Sequence, residues 1–465
     1  MQEENIFAQE SKKVEINDKF KLVLNLLENT QKNVLITGRA GTGKSTLLNY
    51  FVSHTKKNIV VLAPTGVAAV NIKGQTIHSF FGFKPNITLD KIKKVYGPSC
   101  DIYKAIDTIV IDEISMVRAD LLDCVDKFMR LNGKNKDKAF GGVQMVFIGD
   151  LYQLPPVVKG AEKAVFEGYY ESPYFFDSKV FKNFNMEFIE LEKVYRQTDE
   201  KFINLLNAIR NKSITHEDIN EINKRVKTNF EPPADKFYIH LTTTNAISDE
   251  INARELRKLN SRLFSFEGKT TGNFEKSYLP TEEVLNLKEG AQIMLLNNEE
   301  YNRWVNGSVG KIISIKEHND KEKAEIKVLL QNGEVAILKP HKWDMFQVKF
   351  NKSTKKIESE SIGSFIQYPI RLAWAITIHK AQGKTFERII VDIGSGAFTH
   401  GQVYVALSRC TNLDGIILKK PIKKEHIWLD WRVVEFMTRF QYNLNNFLNS
   451  GGSAGAVKRV AFRSQ

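Results

Sequence analysis

At 465 residues the chain is too long for one ordinary domain, and its 42% hydrophobic and 11% aromatic content is ample for packed cores. A formal net charge of +13 and a pI near 9.3 point towards a polyanionic partner. Three widely spaced cysteines (Cys100, Cys124, Cys410) without CxxC spacing argue against a disulfide or zinc framework, and the nine histidines are scattered. No apolar run approaches membrane-spanning length and MQEENIFAQESKK lacks a signal-peptide core, so a cytoplasmic protein of a reducing compartment, with no membrane partner, is expected.

Asn33 to Leu48, NVLITGRAGTGKSTLL, is an apolar strand running through a glycine-rich turn into a helix. Gly38 to Ser45 fits the phosphate-loop pattern G-x-x-x-x-G-K-[ST]. The glycines let backbone N–H groups point inward at a polyphosphate, and the helix N-terminus adds its dipole. Gly38, Ala40, Gly41, Thr42, Gly43, Lys44, Ser45 and Thr46 are therefore the expected nucleotide cradle. Lys44 reaches the β- and γ-phosphates and Ser45 offers a hydroxyl to Mg²⁺. A nucleoside triphosphate is the implied ligand.

The apolar runs Ile59 to Leu62, Thr108 to Ile111 and Val143 to Ile148 follow, separated by helical segments, which indicates a parallel sheet covered on both faces. The third run in the chain ends in Asp112-Glu113, placing two carboxylates at the carboxyl edge beside the phosphate loop. Asp112 is the expected Mg²⁺ holder, and Glu113 the base that deprotonates an attacking water. The next run ends in Gly149-Asp150 and leads to Gln153, an uncharged amide able to sense a γ-phosphate.

A second α/β block is expected in two parts, the first holding Phe188 to Ile209 and a strand around Phe237 to Leu241, the second Ala373 to Ile378 and Arg388 to Ile393. Between them the texture changes to short alternating strands, Gly310 to Ile315, Ala324 to Leu330 and Glu334 to Leu338, with Gln331-Asn332-Gly333 as a hairpin signal. Lys352 to Ser361 reads as a polar surface loop, and the segment from Ser450 as a flexible linker with a basic end.

These strings in this order resemble the Pif (petite integration frequency) family of superfamily-one DNA helicases, with RecD-type helicases as near relatives, over about Val34 to Gly415. APTGVAAVNIKGQTIHSFFG (Ala63 to Gly82) and the segment Val117 to Gly142, with ADLLDCVDKFMR and AFGG, carry the resemblance further. It implies an α/β fold with two RecA-like P-loop domains of parallel sheet, a small inserted β-barrel (Src-homology-like) domain and a small wedge insertion. The expected division is 1–185 for the first domain, with the wedge at about 80–106; 186–289 and 366–449 for the second; 290–365 for the barrel; and 450–465 for the tail.

The resemblance also assigns roles. Thr65, Gly66 and His78 contact single-stranded DNA, as do Thr243 and Asn245 of FYIHLTTTN and Thr377, His379 and Lys380 of AWAITIHKAQGKTF, in which Gly383 belongs to the nucleotide site. Left to itself His78 reads as a packed histidine beside Phe80 and Phe81. Arg196 of YRQ, in a helix-like setting, and Arg409 of ALSR are arginine fingers that neutralise charge on the γ-phosphate. The chain departs from its relatives at Ala381, where many have Ser, and at Lys21, where a glutamine that reads adenine is expected; Gln9 is a distant substitute. At the start of the barrel Tyr301, Trp304 and Asn306-Gly307 suit a cover over the DNA channel, although Trp304 suits a core equally.

The implied activity is an ATP-dependent DNA helicase moving 5′-to-3′ on single-stranded DNA and opening forked or structured DNA in replication, repair or recombination. ATP and Mg²⁺ are its cofactors, an RNA–DNA hybrid is a further substrate to consider, and a monomer is compatible with the architecture. A P-loop ATPase that remodels protein accounts for the loop and Asp112-Glu113 but not for the HKAQG and ALSR strings. A nucleic-acid binder with a decayed ATPase fold conflicts with intact Lys44, Ser45, Asp112, Glu113 and both arginines.

Overall fold

The computed structural model describes residues 16–439 apart from 85, 98–99, 159–167, 198, 300–302, 318–323 and 394–398; Gln9, Tyr301 and the segment from Ser450 lie outside them. The first parallel sheet contains β1 (Asn33–Gly38), β2 (Ile59–Ala63), β3 (Gln75–Thr76), β4 (Thr108–Ile111), β5 (Gln144–Ile148) and β6 (Met186–Leu191) in the spatial order β3-β2-β4-β5-β1-β6. All of these pairings are parallel. β4 and β5 are buried at every residue, as strands covered on both faces must be. The last strand corrects the expected boundary at 185. Phe188 and Ile189 pair with Leu35 and Ile36 of β1, so the first block continues through Leu191 instead of yielding to the second.

Residues 80–106, the expected place of the wedge, are partly built into the first block. Phe80, Phe81, Phe83, Ile92, Ile102 and Ile106 join the buried core, and Phe81 and Phe83 meet Phe128 of the helix Ala119–Asn132 edge-on. Among the described residues of this stretch the exposed side chains are mostly lysines and polar groups between these core positions, with Tyr96 strongly exposed as well.

The second parallel sheet is smaller. It begins with β7 (Ile239–Thr242), and its remaining strands come only after an antiparallel region. That region opens with β8 (Leu263–Glu267), β9 (Lys269–Gly272) and β10 (Val284–Lys288), earlier than the expected start at 290. β11 (Gln292–Leu295), β12 (Val309–Lys316), β13 (Glu325–Leu330) and β14 (Val335–Leu338) join β17 (Ile370–Leu372) in a five-stranded sheet ordered β14-β13-β12-β11-β17. The β13–β14 turn is the expected Asn332-Gly333 hairpin, with Gly333 at φ 88°. Trp304 is a core residue here, packed among Leu295, Ile312 and Tyr368.

The polar stretch read as a surface loop is instead part of a long hairpin, β15 (His341–Asn351) with β16 (Lys356–Gln367); only 352–355 form its turn. Alternation along β16 is masked because its outer half is exposed on both faces until it meets the first block. Asn58 receives the hairpin there, accepting from the Ile357 N–H at 3.1 Å and donating to the Lys355 carbonyl at 3.1 Å. The chain then returns to the second sheet through β18 (Ala375–Thr377), β19 (Ile389–Val391) and β20 (Ile416–Leu418), parallel in the order β18-β7-β19-β20.

Candidate nucleotide site and nucleic-acid face

The phosphate loop follows β1, Asp112-Glu113 follow β4, and Gly149-Asp150 follow β5, so three neighbouring strands deliver their ends to one edge. Gly43 adopts φ 84° as the N-cap of the helix Lys44–His54, and an added Cβ at Gly41 would stand 2.5 Å from the Cβ of Arg196. Both positions therefore require glycine. The Lys44 ammonium donates to the carbonyls of Gly38 at 2.6 Å and Arg39 at 3.0 Å, and burial lowers its pKa.

A cavity of about 630 Å³ opens over this loop. Ala40 through Thr46 line it from the first block together with Glu113 and Gln153, and Arg196, Gly383, Thr385 and Arg409 line it from the opposite side. The structure thus brings together the expected catalytic set from sequence positions hundreds of residues apart. Arg196 does not stand in a helix: it lies in the irregular stretch between Leu191 and Asp199, its guanidinium donating to the carbonyls of Ser408 and Gly383. Arg409 is 1% exposed, and burial, followed by the neighbouring Arg196 charge, pushes its pKa down to about 9. Its side chain is held by the Val405 carbonyl at 2.9 Å and the Ser408 hydroxyl at 2.8 Å.

Glu113 sits at φ 50°, a left-handed conformation that costs a non-glycine residue about 1 kcal/mol or more and that aims its side chain into the cavity. Burial, reinforced by Asp112, raises its carboxyl to about 7. Asp112 is itself buried, which raises its pKa, and it stands behind the cavity instead of lining it. Ser45 lines the cavity and the Asp112 carboxylate lies at the end of β4 behind it; both carry hard oxygens of the kind Mg²⁺ takes, and a cation near Asp112 would relieve the cost of burying that carboxylate.

Several participants escaped the sequence reading. Gln382 lies between the two blocks' chemistry, its Nε2 donating to Glu113 Oε2 at 3.2 Å and to Gln153 Oε1 at 3.1 Å. The Gln153 amide in turn donates to Asp150 at 3.2 Å. Asp150 is 1% exposed and also receives the Tyr404 hydroxyl at 3.2 Å and Arg210 at 3.4 Å. Burial would raise the Asp150 pKa, yet Arg210 and Lys44 outweigh it and hold the group ionised. The Tyr404 hydroxyl accepts from the Ala40 N–H at 3.1 Å, tying the second block to the phosphate loop itself. A motif search centred on Asp112-Glu113 passes over Asp150 because it follows a glycine in what reads as an ordinary turn. Tyr404 had one signal, the unbroken burial-prone run QVYVAL just before Ser408-Arg409.

Lys21 does not occupy the position expected of a base-reading side chain. Helix Asp18–Asn29 starts at an Asn17 cap, and this phase turns Phe20 inward to the cavity while Lys21 pairs with Asp18 at the surface, 3.1 Å away. Tyr195 lines the same end of the cavity.

The residues expected to touch nucleic acid fall at two pairs of adjacent strand ends. Thr65-Gly66 follow β2 and His78 follows its neighbour β3; Thr243 and Asn245 follow β7, and His379 and Lys380 follow its neighbour β18. Asn245, His379 and Lys380 are exposed, Thr243 is half-buried, and Thr65 is exposed while capping the helix Gly66–Asn71. Two positions are not presented as expected. Thr377 is buried, its hydroxyl accepting from the Lys380 N–H, and Gly66 lies so close under the Tyr278 ring that a Cβ would come within 2.0 Å of it. His78 is half-buried, which with the nearby Arg118 lowers its pKa. Ala381 is fully buried beneath this turn. Among the described residues no helix is long and apolar enough to cross a membrane.

Residues 12–220 match the PIF1-like helicase family. The chain is 32% identical to the Saccharomyces cerevisiae ATP-dependent DNA helicase RRM3 over 84% of its own length and 63% of that protein's. It is 31% identical to the Campylobacter jejuni ATP-dependent DNA helicase Pif1 over 90% of its length and 96% of that protein's. It therefore spans about three-fifths of the yeast relative and nearly all of the bacterial one. Among solved structures, Bacteroides sp Pif1 in complex with ADP-AlF4 superposes with a TM-score of 0.85 at 34% identity, covering 92% of this chain and 98% of that one. Bacteroides Pif1 bound to ssDNA gives 0.66 at 35% identity over 93% and 98%.

Proposed function

The chain belongs to the PIF1-like helicase family, and on that premise we propose that it hydrolyses ATP to move along single-stranded DNA and separate duplexes. The observation that carries this reading is the cavity itself. Its phosphate loop and Glu113 come from one parallel sheet, whereas Arg196 and Arg409 belong to the side formed with the other. A nucleotide held there touches both, so binding and hydrolysis alter how the blocks meet.

In this reading Lys44 and the loop amides hold the β- and γ-phosphates. Glu113 removes a proton from the attacking water, and Gln153 and Gln382 orient that water between their amides. Arg196 and Arg409 stabilise the charge spread over the γ-phosphate oxygens, a contribution typically of about 10³–10⁵ in turnover. Ser45 and Asp112 would hold Mg²⁺, which when bound neutralises phosphate charge. His379, Lys380, Asn245 and Thr65, on the strand ends of the two sheets, would grip the DNA backbone. That arrangement predicts binding that weakens steeply with salt. The exposed stretch within 80–106 is our candidate for the element that splits the duplex.

Direction is tested with two labelled duplexes, one carrying a 5′ single-stranded tail and the other a 3′ tail. ATP-dependent opening of only the 5′-tailed substrate is the expected result. Opening of only the 3′-tailed one would reverse the assigned polarity, and opening of neither despite DNA-stimulated hydrolysis would make the protein a translocase or remodeller.

A further inference from the structure

The nucleotide cavity has two chemically unlike ends. Its charged side chains and its side-chain amide, on Lys44, Glu113, Gln153, Arg196 and Arg409, belong to the triphosphate end. Beyond Gly43 the walls are aromatic: a Cβ added at Gly43 would lie 3.1 Å from Phe20 Cζ and 3.8 Å from Tyr195 Cε2. Phe20 is fixed, buried on the inner face of helix Asp18–Asn29, and its own N–H is occupied by the Asn17 cap. Tyr195 is fixed as well. Its backbone N–H donates to the Gly41 carbonyl at 2.8 Å, and its hydroxyl accepts from Asn17 Nδ2 at 3.2 Å.

A nucleoside whose phosphates occupy the loop must place its base at this second end. Purines and pyrimidines differ in the donors and acceptors on their edges but share a π face. Telling them apart requires donors and acceptors of fixed direction; no described lining side chain at this end supplies them, and the backbone N–H groups of Phe20 and Tyr195 are already engaged by Asn17 and Gly41. The hydroxyls of Thr46 and Tyr195 rotate to donate or accept as a partner demands and so do not discriminate, and both ends of the Asn17 amide are taken, by the Tyr195 hydroxyl and the Phe20 N–H. Lys21, the charged neighbour, faces solvent in its pair with Asp18.

We propose that this site accepts nucleoside triphosphates as a class, purine and pyrimidine alike, with the base held against Phe20 and Tyr195 by its face and not read at its edge. Stacking of bases on aromatic rings tolerates any base for this reason. A pocket built to hydrogen-bond its ligand rejects a mispaired analogue by about 10⁴–10⁵, whereas an apolar one separates close analogues only about 10–200-fold. The inference rests on the nucleotide-hydrolysing reading given above.

Two measurements on the full chain separate the two. In the first, ATP, GTP, CTP and UTP each compete with a fluorescent ATP analogue for binding. In the second, kcat/KM is measured for each in the presence of single-stranded DNA. Both sets of four values should agree within about 100-fold. A preference for ATP above that limit in the binding competition overturns the inference and leaves the functional reading intact. Binding of all four without hydrolysis of any does the reverse. Tyr195→Ala and Phe20→Leu, each checked for folding by thermal melting, should weaken binding of all four nucleotides by a common factor of about tenfold, the loss of roughly one stacking contact. Weakening confined to ATP would show that the base is read individually and would also overturn the proposal. Tyr195, 42% exposed, is the variant least able to disturb the fold.

Discussion

The two parallel sheets are alike in construction and unequal in chemistry. The first has six strands and a glycine-rich loop whose backbone can bind a triphosphate alone. Among the described residues the second has four strands and no such loop, yet the turns after β18 and before β20 supply Gln382 and Arg409. On the proposed reading one block binds and its companion completes the reaction, so hydrolysis depends on how the pair meets. Where the interface is polar it is also tightly specified. Asp150 alone gathers Gln153 from its own block with Arg210 and Tyr404 from chain that follows it, and Tyr404 reaches back to Ala40 of the loop.

The sharpest way to break this division is to remove a group from each side. Arg409→Ala should lower DNA-stimulated kcat by about 10³–10⁵ while nucleotide affinity, measured by fluorescence, stays within a few fold. Lys44→Ala should instead lose both binding and turnover, because it strips the binding block. If the two variants fell in the same way, the division of labour would be wrong. Glu113→Gln should retain nucleotide and reduce turnover by about 10²–10⁴, the usual contribution of a general base. Its acidity adds a sign that is easily read. With a carboxyl near 7, the base is active when deprotonated, so kcat/KM should rise with pH through about 7 and fall roughly tenfold per pH unit below it. A flat profile between pH 6 and 8 would remove Glu113 from that role.

Gln382→Ala is the next smaller effect, and it tests whether the second block positions the base. Its Nε2 donates to the Glu113 carboxylate and thereby favours the ionised form. Without it the pH midpoint should move upward and kcat should fall by about 10²-fold or less, a misplacement effect and not the loss of a reacting group. The same turn carries His379 and Lys380, so the loss should be greater with DNA present than without it. An unshifted midpoint together with an unchanged DNA stimulation would reduce Gln382 to packing.

How much of this was legible in the residues follows the same division. The loop, Asp112-Glu113 and the strands that carry them are local in sequence, and short apolar runs with fixed glycine spacing announce them. The burial of Phe80 and Phe81 and the core position of Trp304 also agree with what aromatic residues usually do. Features that depend on a partner far away were not announced. β6 looks like the opening of the second block because only its pairing with β1 places it in the first. Lys21 stands where the resemblance expects a base-reading glutamine, but matching strings does not reveal helix phase. The Asn17 cap sets that phase and gives the position to Phe20. The outer half of β16 shows no apolar alternation because Ile357 is its single apolar side chain among lysine, glutamates and serines, and it is only partly buried against the first block.

That hairpin offers the smallest effect and the most local one. On the proposed reading the two blocks open and close, and the contacts at the hairpin's outer end are of a separable kind. Asn58 uses its side-chain oxygen and nitrogen as a strand would use its backbone, accepting from Ile357 and donating to Lys355. Lys352 adds an ion pair to Asp101 at 2.6 Å in which the lysine is well exposed. Beneath these, Val348, Phe350 and Ile357 are only partly buried against the first block's core. Asn58→Ala removes both hydrogen bonds to the hairpin and a longer one to the Ala105 carbonyl at 3.4 Å, each with a net contribution of about 0.5–1.5 kcal/mol, so the docked hairpin should loosen without global unfolding. Trypsin cleavage within Lys352–Lys356 should accelerate several-fold while the melting temperature moves by only a few degrees. Lys352→Ala should leave that temperature unchanged, because exposed ion pairs contribute little. Global destabilisation by Asn58→Ala without faster cleavage at the tip would mean that the hairpin is an integral part of the first block and moves with it.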